Sequence, residues 1–392
     1  MIRRGQWSNH ARFCVKTGLM MRPHALRLAA ALLLLAGASS AAPAPKAPDA
    51  QVVVVGAGLS GLIAAYELER KGVKVQLLEA ADRFGGRVTT MHYGDGLHSE
   101  YGMHEIWERD PLMDYVREFK IPLSEPQQPY SSVYMDGKLF PYVQDTLDAF
   151  HATLFSPQER SEYARWLAQT QTLYDEAQSS GLTPRLAELQ KLSFAQWVES
   201  FKLPERVAEY IRLSVECEVA SDWSGISAVY GIEQMRIFLH GTEQCRHAQG
   251  GNQTLIDAFV RRLKGPKTLG ATVTRIVRKK TDGGGTEAIV HYRKDNAMRS
   301  VKASKVVLAV PYHVLHAVQL EPTLTETQWK AVDVLSAGRY TVVHFLIDAA
   351  GAERLLVDGK VPFPVLPRGA LGVVYGFLAQ PAPSQKRIVV PL

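Results

Sequence analysis

From residue 51 onward the apolar positions fall into a strand, a loop and a helix in quick succession. Val52 to Val55 is an unbroken β-branched run, which suits a strand buried on both faces. Leu59, Leu62, Ile63, Tyr66 and Leu68 then recur roughly on one helical face, and Gly72 supplies a stop after the last turn. Val73, Val75, Leu77 and Leu78 make a second buried strand. The pattern predicts one βαβ unit.

Residues 110–250 carry a different rhythm. Apolar residues recur at helical spacing in YARWLAQTQTLY, FAQWVESF and VAEYIRLSVECEV. Before them VYMDGKLF predicts a short hairpin turning on Asp136-Gly137. From 273 strands return, with VTRIVRKKT and EAIVHYRK flanking the glycine-rich TDGGGTE. Ala288, Val290 and Tyr292 share one face of the second of these. KVVLAVP, Lys305 to Pro311, reads as a fully apolar strand ended by proline, and RYTVVHFLI and GALGVVYGFLA follow as strand-like runs. No internal repeat is present.

The junction at Val55 carries the chemistry. The strand runs into Gly56, Gly58 and Gly61, spaced G-x-G-x-x-G, and these open the helix. That context is a dinucleotide cradle. Gly56 permits the tight turn, Gly58 lets the backbone approach a pyrophosphate, and Gly61 lets helix and strand pack closely. Free amides at the helix start then face phosphate. Glu79 ends the second strand, where its carboxylate can hold ribose hydroxyls.

Charge changes the picture mainly at the N-terminus. The formal charge is +6, yet Arg3, Arg4, Arg12, Lys16, Arg22 and Arg27 are met by no acid before residue 43. Without those six, basic and acidic residues balance at 39 each, so no basic patch argues for a nucleic-acid partner. Arg22, His24 and Arg27 precede the apolar run Leu28 to Ala36, then GASSAAPAP. This is the layout of a secretory signal, with cleavage expected near Ala41 or Ala42 and a start at Met20 or Met21. The run is short of the roughly 20 residues that span a bilayer, so no stable membrane span is expected. The protein is expected to be exported, to the periplasm or outside the cell. Cleavage removes Cys14; Cys217 and Cys245 either pair in an oxidising compartment or stay as buried thiols. No CxxC or His-rich spacing points to a metal.

After Glu79 the chain reads AADRFGGR, so the whole is E-A-x-x-R-x-G-G-R. Together with the glycine loop this resembles the FAD-dependent amine oxidase family, which includes monoamine, polyamine and L-amino-acid oxidases. The resemblance implies that Ser60, Glu79, Ala80, Arg83, Gly85, Gly86 and Arg87 lie on FAD. Arg87 would set a fixed positive charge beside the diphosphate. SEYGMHEIWE, Ser99 to Glu108, is similar to the family's segment beside the flavin ring, with Gly102 aligned and Met103 where a second small residue is usual. GGNQTLIDAF resembles the return from the substrate domain. VTRI places Val273 where the family's backbone clasps adenine, and VVLAVPYHVL resembles the strand that follows.

The resemblance also implies a reaction: a C–H bond next to an amine nitrogen is cleaved, a hydride equivalent passes to the flavin, and oxygen reoxidises it. No general base is obligatory if the amine arrives neutral. Many members carry a lysine, holding a water against the flavin, on the strand that here reads RYTVVHFLI; the matching position is Val342. His104 and Glu105 are candidates to face substrate, and Trp223, Tyr230, Tyr340 and Tyr375 candidates for an aromatic pocket. Two other readings stay open: desaturation of a C–C bond on the same scaffold, and a low-activity or non-catalytic remnant. Family members close the flavin site with a late glycine-rich strand-to-helix turn. Nothing after Gly251 reads that way, and the chain ends in IVVPL, so the C-terminal part is expected to be missing.

The expected architecture is α/β, a Rossmann-like FAD-binding domain with a discontinuous α+β substrate domain. The boundaries are 1–49 for signal and linker, 50–109 and 250–320 for the FAD domain, and 110–249 and 321–392 for the substrate domain. Expected partners are FAD, a small amine or amino acid, and oxygen.

Overall fold

The computed structural model describes residues 50–94, 96–126, 131–144, 146–236, 239, 244–280, 286–338, 341, 343–354, 364–367, 374–377 and 386–391. Residues 1–49, with Cys14 and the expected cleavage site, residues 281–285, Tyr340, Val342 and residues 369–373 lie outside them, as do the side chain of Tyr375 and Leu392.

Two large sheets organise the chain. In the first, β1 (Ala50–Val55) lies parallel to β2 (Val75–Leu78), with the helix α1 (Leu59–Arg70) as their crossover. Next to β2 comes β9 (Lys267–Thr268), also parallel. On its other side β1 pairs in parallel with β12 (Ala297–Leu308), placing Val52 opposite Lys305 and Val55 opposite Leu308. Antiparallel β11 (Thr286–Lys294) and β10 (Thr272–Lys280) extend the sheet, and β13 (Gln319–Glu321) closes it. Four consecutive valines fit β1 because both faces are covered. Val52 and Val54 pack with Leu62 and Phe259 on one side, Val53 and Val55 with Ile276 and Val290 on the other. Ala288, Val290 and Tyr292 do share the buried face of β11.

The apolar run at 305–311 is not a separate strand. Lys305 to Leu308 are the last four residues of β12, which begins at Ala297, and Ala309 to Pro311 lie beyond it. The turn from β11 to β12 is Asp295-Asn296, both left-handed at φ 51° and 58°, the geometry of a two-residue hairpin. Beyond Leu308 the chain leaves the sheet for a short 3₁₀ turn, Tyr312–Ala317.

The second sheet has six strands. Its hairpin β6 (Ser132–Met135) and β7 (Lys138–Phe140) turns on Asp136 and Gly137, both at positive φ. Of the other four, β14 (Phe345–Asp348) and β16 (Val374–Phe377) fall in the two late strand-like runs, while β15 (Val365–Pro367) and β17 (Lys386–Pro391) lie outside them. Helices between 147 and 234 pack a core on this hairpin, with Phe150, Trp166, Phe194 and Ile211 fully buried. Among the described residues no helix is long and apolar enough to cross a membrane.

Candidate functional site

Three backbone segments meet at the ends of β1, β2 and β12, and each is built of glycine for a different steric reason. Gly56 has φ +96°, and a Cβ there would lie 2.6 Å from the Ala309 carbonyl oxygen. Gly61 sits on the first turn of α1, where a Cβ would lie 1.9 Å from the Gly56 oxygen. Gly58 differs: a Cβ would meet nothing closer than the Gly86 Cα at 4.0 Å. Protein packing therefore does not demand glycine at 58. Its open side is what close approach of a phosphate requires.

The second segment is the turn Gly85–Arg87. Gly85 bridges to Gly58 and its amide donates to the Ala57 oxygen at 2.9 Å. Gly85 and Gly86 both hold left-handed φ, +110° and +56°. The third segment is Tyr101–Met103. Its Gly102 lies so close to Arg87 that a Cβ would fall 1.6 Å from the Arg87 oxygen, and the Met103 amide donates to that same oxygen at 3.0 Å. The three segments form one continuous floor of backbone.

Side chains expected on the cofactor divide into two groups. Glu79 closes over the first loop, accepting from the Ala57 amide at 2.6 Å through Oε2 and from the Ala81 amide at 2.8 Å through Oε1. Its remaining lone pairs stay available to hydroxyls. Val273 lies near it, since the Ala271 amide donates to the Glu79 carbonyl at 2.7 Å. Ser60, Ala80 and Arg87 are exposed around the floor. Arg83, also exposed, braces the glycine turn: its guanidinium donates to the Gly86 oxygen at 2.7 Å, and more weakly to those of Phe84 and Val88. Met103 packs, half-buried, on the core beneath the floor, which accounts for a large residue where a small one is usual.

Sequence patterns gave no reason to single out Asn252, which anchors the third segment. Fully buried, it donates through Nδ2 to the Met103 and His104 oxygens at 2.8 and 3.1 Å. Its Oδ1 accepts from the Ala248 amide at 2.9 Å, and its own amide donates to Glu100 Oε1 at 2.8 Å. The available signal was a polar residue following two glycines directly before the helix Gln253–Arg262, a turn position. Glu100 is itself buried and takes two further bonds from Thr90 Oγ1. Burial lifts its pKa to about 7 against those hydrogen bonds.

Beyond Gly102 the chain enters a cluster of titratable groups. Burial, with the charges of His247 and His344, pushes His104 down to about 4, so its imidazole is neutral at physiological pH. Desolvation and the charge of Glu218 lift Glu105 to about 7. Glu218 is exposed by surface area, yet desolvation raises its pKa, with Arg236 pulling it back. Cys217 and Cys245 are not disulfide-bonded, and burial pushes each thiol up to about 12. Trp223 packs on the helical core and Tyr230 lies exposed, 45% of its surface open.

A glycine floor at the carboxyl ends of parallel strands is the frame of a dinucleotide-binding α/β protein. Sequence comparison narrows this. The profile described as "Flavin containing amine oxidoreductase" matches residues 59–385, and the chain belongs to that family. Putrescine oxidase of Kocuria rosea is 28% identical over 316 residues, covering 76% of this chain and 64% of that protein. L-amino-acid oxidase of Naja atra is 47% identical over 76 residues, 19% of this chain and 15% of that protein. The chain thus spans less than two thirds of the length of either relative. Among solved structures, putrescine oxidase bound to putrescine superposes with a TM-score of 0.72 at 21% identity, covering 88% of this chain and 75% of that one. Cyclohexylamine oxidase from Brevibacterium oxydans gives 0.71 at 21% identity, with the same shares covered.

Proposed function

We propose that this chain binds FAD and oxidises a small amine at its C–N bond, with oxygen as acceptor. One observation carries the reading: the backbone floor of Gly56–Gly61, Gly85–Arg87 and Gly102, with the Glu79 carboxylate at its edge. Gly58 is the position that protein packing leaves open, as a bound diphosphate requires. FAD, when bound, supplies the acceptor for a hydride equivalent. The chain's own residues do the rest. The first amides of α1 favour negative charge over Gly58, Glu79 offers lone pairs to hydroxyls, and Arg83 and Asn252 hold the floor rigid.

This cluster bears on the substrate. Glu105 and Glu218 put two carboxylates beyond Gly102, each with a raised pKa, and a cation between them would relieve both. That favours an amine over a substrate of C–C desaturation. In this reading residues 50–109 and 250–320 hold the cofactor, while 110–249 and 321–392 enclose the substrate.

The test is the visible spectrum of the purified protein, then a peroxide assay across putrescine, cyclohexylamine and L-amino acids. Flavin bands and peroxide release with an amine are expected. A tight NADP complex without flavin affinity sinks the reading.

A further inference from the structure

The floor's three segments are not held alike. The first two belong to the sheet: the Gly56 amide donates to the Leu78 oxygen at 2.8 Å and Gly85 is tied to Ala57. The third, Tyr101–Met103, follows a two-stranded hairpin, β3 (Thr90–Gly94) and β4 (Leu97–Glu100), that joins neither large sheet. On one flank it is secured by Asn252 and by the Tyr101 amide, which donates to Thr89 at 2.8 Å. What secures the other flank comes from far along the chain.

His344 stands immediately before β14, at the edge of the second sheet. Its Nδ1 lies 2.5 Å from Ser99 Oγ and is also hydrogen-bonded to the Tyr93 hydroxyl. Its ring centroid is 3.9 Å from that of Tyr101. The hydroxyls are linked in turn: Ser99 Oγ donates to Tyr93 and Tyr93 to Tyr101, each at 3.3 Å. Ser99 is 2% exposed, so its hydroxyl must find partners inside the protein. The imidazole also contacts the Glu100 backbone. One side chain thus grips Ser99, Glu100 and Tyr101, the three residues leading into Gly102.

We propose that His344 is a positioning residue for the cofactor: through Nδ1 it fixes the Ser99–Tyr101 approach to Gly102, and so couples the late strands to the floor. This rests on the reading of that floor as a flavin site. Burial lowers the His344 pKa to about 4. The ring is therefore neutral at physiological pH and can share one nitrogen with hydroxyls in either direction. Phenylalanine or valine would fill the space without gripping Ser99.

Asparagine places a polar atom where Nδ1 stands; glutamine places it where Nε2 stands. The experiment titrates apo-protein with FAD, following flavin fluorescence and the visible band shape. It compares wild type with His344→Asn, His344→Gln, His344→Ala and Ser99→Ala, and melts each apo-form. His344→Ala and His344→Gln should weaken FAD binding by roughly fivefold to tenfold, the scale of one lost hydrogen bond. His344→Asn should stay within about twofold, and combining Ser99→Ala with His344→Ala should add little to either alone. Equal losses in the Asn and Gln variants that follow apo-melting temperature overturn the proposal, because they mark a role in stability only. Unchanged FAD affinity in every variant, with wild type binding normally, overturns it while leaving the flavin reading intact. Absence of FAD uptake by wild type overturns both.

Discussion

Gly102 and Arg87 touch backbone to backbone: a Cβ added at 102 would fall 1.6 Å from the Arg87 oxygen. No side-chain rearrangement can relieve this, because the obstacle is a carbonyl. Gly102→Ala should cost about 1–3 kcal/mol or more in stability and leave purified protein largely without flavin. Melting temperature and the ratio of visible to ultraviolet absorbance measure both. A stable, flavin-loaded variant would show that the segments can separate.

Glu79 joins two loops through one carboxylate, at 2.6 Å to Ala57 and 2.8 Å to Ala81. Glu79→Ala removes both bonds and the acceptor for ribose. Charged hydrogen bonds are worth about 1.5–3 kcal/mol each, so FAD affinity should fall by at least roughly tenfold. Fluorescence titration reads the change. Glu79→Gln should lose less, keeping one oxygen for Ala57.

Glu100 gives a pH signature. Its folded pKa stands near 7 against an ordinary 4.5 because burial outweighs the bonds from Asn252 and Thr90. The folded protein thus retains a proton that the unfolded chain releases above about 4.5. That contribution is full below this pH and is lost as pH rises through about 7, on the order of 3 kcal/mol at most. Glu100→Gln should flatten the fall in apo-protein melting temperature between pH 5 and pH 8. A variant whose pH profile parallels wild type contradicts the assignment.

Glu105 lies within the field of the Glu218 charge. If the pair receives a cationic amine, Glu105→Gln should raise KM several-fold for a diamine with a smaller change in kcat. Uncharged or monoamine substrates should be less affected. Steady-state peroxide kinetics on putrescine and cyclohexylamine separate these outcomes.

The arginine-flanked run Leu28 to Ala36 leads us to expect export with trimming near Ala41 or Ala42. N-terminal sequencing of protein recovered from its native host checks this. Intact Met1 on cytosolic protein would refute it.

Local rules made much of this molecule legible. Four valines running into spaced glycines specify a covered parallel strand and its turn, and Asp136-Gly137 specifies its hairpin. The β11–β12 turn was harder to see, because Asp295 and Asn296 sit among charges rather than beside a glycine. The reach of Asn252 to Met103 across the floor, 149 positions apart, and the grip of His344 on Ser99 were not legible as contacts. Ser99 and His344 are 245 positions apart in the chain, and the segments that contain them carry no signal that they meet. Such contacts exist only after the two sheets have come together. Arg83 shows the converse limit: a motif singles it out, but only geometry reveals its bond to the Gly86 oxygen.

The parallel pairing of β15 with β6, which sets Leu366 beside Val133, dictates an order of assembly during synthesis. β1 can pair with β2 as soon as β2 has left the ribosome, but β1 and β6 must each wait for a second partner, β12 and β15, made more than two hundred residues later. Until then Val133 and the underside of the helical layer lack the strand that covers them. Pairings of such long sequence separation form slowly. The face of the hairpin that β15 covers therefore stays open for as long as the chain takes to be translated from β7 to β15.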